Sequence, residues 1–114
     1  METAHTVISL FLAVVFLFSG LSKASGSAAG LSGTRDLNFP DGAARLVGIL
    51  ETLASIALLV GYGFANPDIK LYGFLTIWAT MAGAIFFHFR ANKARTAFPA
   101  MFLLILTTVG IATL

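Results

Sequence analysis

Four apolar stretches, each about as long as a membrane span, constrain the fold of this chain more than any other feature of its sequence. They cover roughly residues 4–21, 43–64, 71–89 and 97–114. A helix needs about 17–25 residues to cross the hydrocarbon layer of a bilayer. Lipid offers no hydrogen bonds to the backbone, and the alternating pattern of barrel strands is missing here, so each stretch is predicted to be a helix.

The composition agrees with burial in lipid. Hydrophobic residues make up 58% of the 114 residues and charged residues only 11%, and a soluble domain this small has too little interior to hide so much apolar surface. The net charge is +2 and the basic residues form no dense run, which argues against nucleic acid as a partner. Because no cysteine is present, thiolate chemistry and cysteine-ligated metal centres are excluded.

The connections predict an all-α bundle of four helices with up-down antiparallel topology, forming a single transmembrane domain over residues 1–114. The second and third connections are short, which makes the helices that they join antiparallel neighbours. The first connection, residues 22–42, is rich in Gly and Ser and is predicted to be a loop. The first apolar stretch lacks the basic segment that begins a secretory signal, so we expect it to be a helix of the mature protein.

Polar residues near the predicted helix starts are candidate caps. Asp41 or Gly42 is expected to open the second helix, since Pro40 fixes a turn before them. Asp68 is expected to cap the third helix, and Thr96 the fourth.

The basic residues predict the orientation of the bundle. Those that flank the first and third connections are Lys23, Arg35, Arg45, Arg90, Lys93 and Arg95, whereas only Lys70 flanks the second. Cytoplasmic loops of membrane proteins carry an excess of Lys and Arg. The connections at residues 22–42 and 90–96 are therefore expected in the cytoplasm, with the N- and C-termini outside.

Glu51 is the most informative polar residue, because it lies about two turns inside the second predicted helix. An ionised carboxylate in lipid costs several kcal/mol unless it is paired, neutralised or hydrated. The antiparallel topology brings four basic side chains to the same end of the bundle: Lys23, Arg45, His88 and Arg90. Arg45 lies on the same helix as Glu51 but points roughly 120° away from it, which favours an interhelical partner such as Lys23.

Three interpretations of this polar cluster remain open. The first is a structural ion pair that fixes helix register. The second is a polar pocket that holds a ligand headgroup or passes a proton, and the third is a contact with a partner subunit. A lone histidine at a helix end, like His88, is more often an interfacial residue than a ligand. The other histidine, His5, is expected at the opposite end, so no metal site is predicted. No residue is assigned a catalytic role.

Small residues at four-residue spacing predict where helices approach closely. Ala44, Gly48 and Thr52 form one such row on the second helix, and Ala79 and Gly83 form another on the third. Small side chains let membrane helices pack backbone against backbone.

Three short runs resemble the DoxX and DoxX-like family of small four-helix integral membrane proteins. They read FSGLSK at residues 18–23, GILE at 48–51 and GAIFFHFR at 83–90. The resemblance implies a location in the membrane, for a bacterial protein the inner (plasma) membrane. It also implies varied roles, since relatives are associated with a thiosulfate:quinone oxidoreductase, with oxidative-stress complexes or with receptor assembly, and fold analogy alone does not transfer function.

Two classes of function follow. The favoured prediction is a non-enzymatic accessory subunit or assembly factor of a larger membrane complex, in contact with the lipid bilayer and with other membrane proteins or further copies of itself. The alternative is the membrane subunit of an oxidoreductase, with a quinone or a lipid headgroup bound near Lys23, Glu51 and His88. The sequence contains no set of cofactor ligands and little chain outside the predicted spans, so no intrinsic cofactor is expected.

Overall fold

The computed structural model describes residues 2–114 and is helical almost throughout. Its elements are α1 (Glu2–Ala24), α2 (Ala28–Asp36), α3 (Asp41–Gly63), α4 (Pro67–Arg90), a 3-10 turn (Ala94–Ala97) and α5 (Phe98–Ala112). Four segments are long and apolar enough to cross a membrane: α1, α3, α4 and the continuous Ala94–Ala112. The predicted all-α membrane bundle is confirmed.

The long helices pack in the cyclic order α1, α3, α4, α5, with α5 closing back onto α1. The end of α1 and the start of α3 lie at one end of the bundle, together with the end of α4 and the start of α5. This end of the bundle, which carries Lys23, Arg45 and Arg90, is called the basic end. The other, called the terminal end, holds the start of α1 and the end of α5. The longest dimension is 39 Å, enough to cross a hydrocarbon core of about 30 Å.

The core is narrow and the outer surface is apolar. Phe16, Leu58 and Phe74 are fully buried between the helices. On the outside, Phe18 is 72% exposed and Ile105 is 62% exposed. Water would not favour so many exposed large apolar side chains on one small chain, whereas lipid tails contact them without penalty. The outer faces of the helices are therefore the surface that contacts the bilayer.

Helices α1 and α3 approach each other closely. A Cβ atom built on Gly20 would lie 2.5 Å from Thr52 Oγ1, and one built on Gly48 would lie 2.6 Å from the Lys23 Cβ. Gly48 and Thr52 therefore pack against α1 as their spacing predicts, beside the fully buried Ala44. The predicted row of Ala79 and Gly83 on α4 does not form such a helix contact at Gly83, because a Cβ atom built there would meet nothing within 4 Å.

The segment 22–42, predicted to be a loop, contains the nine-residue helix α2. The Ser27 side chain caps this helix by accepting a hydrogen bond from the Gly30 backbone N–H at 3.1 Å. Gly30 lies directly against the backbone of Ser22, and Arg35 forms a two-pronged pair with Asp41 at the start of α3. These contacts order a sequence whose Gly and Ser content disfavours helix.

Two predicted caps are also corrected. The Asn66 side chain, not that of Asp68, caps α4, by accepting from the backbone N–H groups of Asp68 and Ile69. Asp68 lies instead in the first turn, and α4 begins at Pro67 rather than near residue 71. Thr96 does not cap α5, because its hydroxyl donates to the Lys93 carbonyl. At the start of α3, Asp41 is the first helical residue, as expected.

Candidate functional site

Lys23 and Glu51 form an ion pair inside the basic end of the bundle. Lys23 Nζ lies 2.8 Å from Glu51 Oε1 and 2.8 Å from the hydroxyl oxygen of Ser19, one turn back on α1. Glu51 is fully buried, and the Lys23 side chain is 19% exposed. The contact of Gly20 with Gly48, one turn before each charged residue, brings α1 and α3 close enough for the pair to form. Arg45 takes no part in it.

The second oxygen of the Glu51 carboxylate has no hydrogen-bond partner within residues 2–114. This atom, Oε2, is buried. The two hydroxyls nearest to it in sequence donate elsewhere: Thr52 to the Gly48 carbonyl and Ser55 to that of Glu51. A buried carboxylate oxygen without a donor is costly, and native structures leave few such groups.

Glu51 and Lys23 lie in the wall of a cavity of about 440 Å³ between α3, α4 and the segment that contains α2. The rest of the wall is mostly apolar and includes Val47, Met81 and Phe87. Cavities of roughly 300–1,000 Å³ with apolar walls and a few polar groups are typical of small-molecule sites. The unpaired oxygen therefore belongs to a residue that lines a space of ligand size.

His88 lines the same cavity, and its hydrogen bond indicates where its proton lies. The Thr96 hydroxyl donates to the Lys93 carbonyl, so it accepts from His88 Nδ1. Nδ1 therefore carries the hydrogen, an assignment that rests on the hydrogen-bond network. In the neutral imidazole, Nε2 is left as an acceptor.

The remaining predicted site residues divide between this cavity and other places. Ala79 and Gly83 line the cavity rather than a helix contact. Arg45 Nε donates to the Ala24 carbonyl at the end of α1, at 3.1 Å. Arg90 lines an adjoining cavity of about 470 Å³ and not the one that contains Glu51. The predicted cluster is thus reduced to Lys23, Glu51 and His88.

Several residues of the site were not predicted from the sequence. Gly33 and Thr34 of α2 line the cavity, as does Phe39, whose ring meets that of Phe87 edge-on at 4.9 Å. No local signal identifies them, because they reach the site only through the folding of α2. Ser19 carried a usable signal, since a residue four positions before Lys23 lies on the same face of a helix.

A second polar cluster lies at the terminal end. His5 is 7% exposed; its Nδ1 lies 2.7 Å from Thr113 Oγ1 and its Nε2 3.0 Å from Lys70 Nζ. The Thr113 hydroxyl donates to the Val109 carbonyl, so His5 donates from Nδ1 and accepts from Lys70. The cluster connects α1, α4 and the end of α5. No group of three His, Asp or Glu side chains within residues 2–114 is placed to hold a metal ion.

Comparison with known proteins gives one match. Searches of curated proteins and of solved structures return none. The model of the DoxX-like family matches residues 7–109. This range includes the whole of α3 and α4, most of the first and last membrane-spanning segments, and every residue of the Lys23–Glu51 cavity. This small integral membrane protein therefore belongs to the DoxX-like family.

Proposed function

We propose that this protein binds the polar headgroup of an amphiphilic molecule, of the quinone or lipid type, in the cavity beside Lys23 and Glu51. The observation that carries the proposal is the Glu51 carboxylate, which is fully buried, lines the cavity and uses only one of its two oxygens. A ligand that reaches Oε2 would remove the cost of an unpaired buried acceptor.

The form of the cavity supports an amphiphile over a water-soluble ligand. Its titratable groups, Lys23, Glu51 and His88, lie toward the basic end, and the rest of its wall is mostly apolar. Ala79, in the wall, is exposed on the outside of α4 and lies about midway along that helix. One edge of the cavity thus lies at the depth of the lipid tails. A headgroup can bind to the pair while its tail remains in the bilayer.

An accessory subunit or assembly factor is the second candidate, and the same oxygen bears on it. A side chain from a partner helix can also donate to Glu51 Oε2, and the apolar outer faces offer surface for helix packing. We rank it second because the cavity is formed by this chain's own helices. A bound quinone would favour a role as the membrane subunit of an oxidoreductase, whereas a bound lipid would not.

A cavity-filling substitution tests the proposal. Gly83 lines the cavity and has open space around it, so a leucine there should occupy part of the cavity while Lys23 and Glu51 are both retained. Gly63 is the matched control, because it is also open and lies outside the cavity wall. Purified wild type, Gly83→Leu and Gly63→Leu would be extracted and their bound amphiphiles identified by mass spectrometry.

We expect a near-stoichiometric amphiphile on the wild type and on Gly63→Leu, and its loss from Gly83→Leu, with equal thermal unfolding of the two variants. The same set of molecules on all three proteins would contradict the proposal. A stoichiometric partner protein without a bound amphiphile would favour the accessory subunit.

A further inference from the structure

We infer that the headgroup bound in this cavity is uncharged and carries a hydroxyl, either an alcohol or a phenol, that bridges Glu51 Oε2 and Lys23 Nζ. This inference rests on the proposed function and specifies the chemical class of its ligand. It follows from the donors and acceptors that the cavity leaves unused.

The first step concerns Glu51. Its Oε2 atom, when ionised, only accepts hydrogen bonds. The Thr52 and Ser55 hydroxyls already donate to the backbone of α3, and the Lys23 ammonium is placed on Oε1. The ligand must therefore supply a donor. A quinone carbonyl, an ether or an ester has none.

The second step concerns Lys23. An ammonium group has three N–H donors, and Ser19 and Glu51 Oε1 account for two of them. The third is left for an acceptor on the ligand. Oε2 is only two covalent bonds from Oε1, so a single hydroxyl beside the pair can accept from Nζ and donate to Oε2 at once.

The third step concerns charge. Lys23 and Glu51 neutralise each other, and no other Lys, Arg, Asp or Glu among residues 2–114 lines this cavity. A phosphate attracted to Lys23 would also meet the Glu51 carboxylate, and a free ammonium attracted to Glu51 would also meet Lys23, so the pair offers neither charge a net attraction. A neutral headgroup avoids both repulsions, and a further hydroxyl on it would find an acceptor at Nε2 of a neutral His88.

Titration of the purified protein with matched probes tests the inference. One series is a short-tailed alkyl hydroquinone, its dimethyl ether and the corresponding quinone, with the oxidation state held by added reductant or oxidant. The other is a short-chain diacylglycerol and its methyl ether. The two series distinguish a phenol from an alcohol as the source of the hydroxyl. Isothermal calorimetry in one detergent would give each dissociation constant.

We expect the hydroxyl probe of at least one series to bind roughly 10- to 100-fold more tightly than its ether, as for one hydrogen bond to a charged group. Glu51→Gln should remove most of this preference in that series. Lys23 can only donate, so it would hold the amide oxygen and leave the amide NH₂ where Oε2 was. The hydroxyl would then lose its acceptor, whereas a hydroxyl, a quinone carbonyl and an ether can all accept from the NH₂. Circular dichroism and thermal unfolding would report that the variant is folded.

Equal affinity for the hydroxyl probes and their ethers would overturn the inference and leave the proposed function standing. So would a folded Glu51→Gln variant whose preference for the hydroxyl probe over its ether is unchanged. Binding of no probe, with no amphiphile on the purified protein, would instead reject the proposed function itself. Affinity that persists unchanged in Gly83→Leu would place the binding outside this cavity and reject both.

Discussion

The Lys23 ammonium contacts one oxygen of the Glu51 carboxylate at 2.8 Å, and the other oxygen has no hydrogen-bond partner within residues 2–114. A pair that served only to fix helix register would be expected to satisfy both oxygens, because removing a carboxylate from hydration is expensive. The unequal use of the two oxygens, together with the cavity that Glu51 lines, is why we place a ligand there.

The first prediction concerns the energetics of the pair. Lys23→Met should lower the free energy of unfolding by about 3–5 kcal/mol, because it leaves a buried carboxylate without a counter-charge. Glu51→Gln should cost less, since the amide oxygen still accepts from Lys23. The double variant should recover much of the loss caused by Lys23→Met. Thermal unfolding in one detergent would measure all three; strict additivity would show that the two residues are not coupled.

The second prediction concerns the contact that brings α1 and α3 together. Gly48→Ala should destabilise the protein by about 1–3 kcal/mol, because the added methyl group would meet Lys23 and the α1 backbone. It should also weaken amphiphile binding by displacing Lys23 from Glu51. Gly83→Ala is the control, since its methyl group meets nothing within 4 Å. Equal unfolding temperatures for the two variants would contradict the close contact.

The third prediction concerns Ala65, which follows α3 with a φ of 51°. This left-handed conformation is unfavourable for residues with a Cβ atom, and glycine adopts it freely. The Asn66 N–H donates to the Gly61 carbonyl at 2.8 Å and fixes the turn. Ala65→Gly should therefore stabilise the protein by about 1 kcal/mol. A lower unfolding temperature for this variant would argue against the turn geometry.

The fourth prediction concerns orientation. We expect the basic end to face the cytoplasm because it carries most of the Lys and Arg residues. The chain has no cysteine, so each introduced thiol is the sole target of a membrane-impermeant reagent. In intact cells, Phe64→Cys at the terminal end should be labelled and Ala94→Cys at the basic end should not. Labelling of Ala94→Cys alone would reverse the orientation.

The membrane bundle and the central ion pair could be predicted from the sequence, whereas the cavity could not. Hydropathy reveals four spans because each helix that crosses the lipid must be about 20 residues long and mostly apolar. Antiparallel order then brings Lys23 near Glu51 without further information. The cavity depends on α2, whose Gly- and Ser-rich sequence resembles a loop. Ser27 caps this helix locally. The packing of Gly30 against α1 and the Arg35–Asp41 pair with α3 also hold it, and these are contacts between helices that a local pattern does not encode.

The separation of Arg45 and Arg90 from Glu51 has a similar cause. The sequence predicts that Lys23, Arg45, His88 and Arg90 share one end of the bundle, but it does not give their positions around the bundle axis. Arg45 turns to the carbonyl of Ala24, and Arg90 lines the adjoining cavity. Ala79 and Gly83 were predicted as a packing row from spacing alone, which does not reveal whether a neighbouring helix is present.

An experimental structure from a lipidic mesophase tests the central claim most directly, because it reports what lies against Glu51 Oε2. We predict elongated density in the cavity lined by Lys23, Glu51 and His88. Its polar end should lie within about 2.5–3.2 Å of both Oε2 and Lys23 Nζ. A side chain from a second protein on Oε2, or a cavity closed by the chain's own side chains, would contradict the claim.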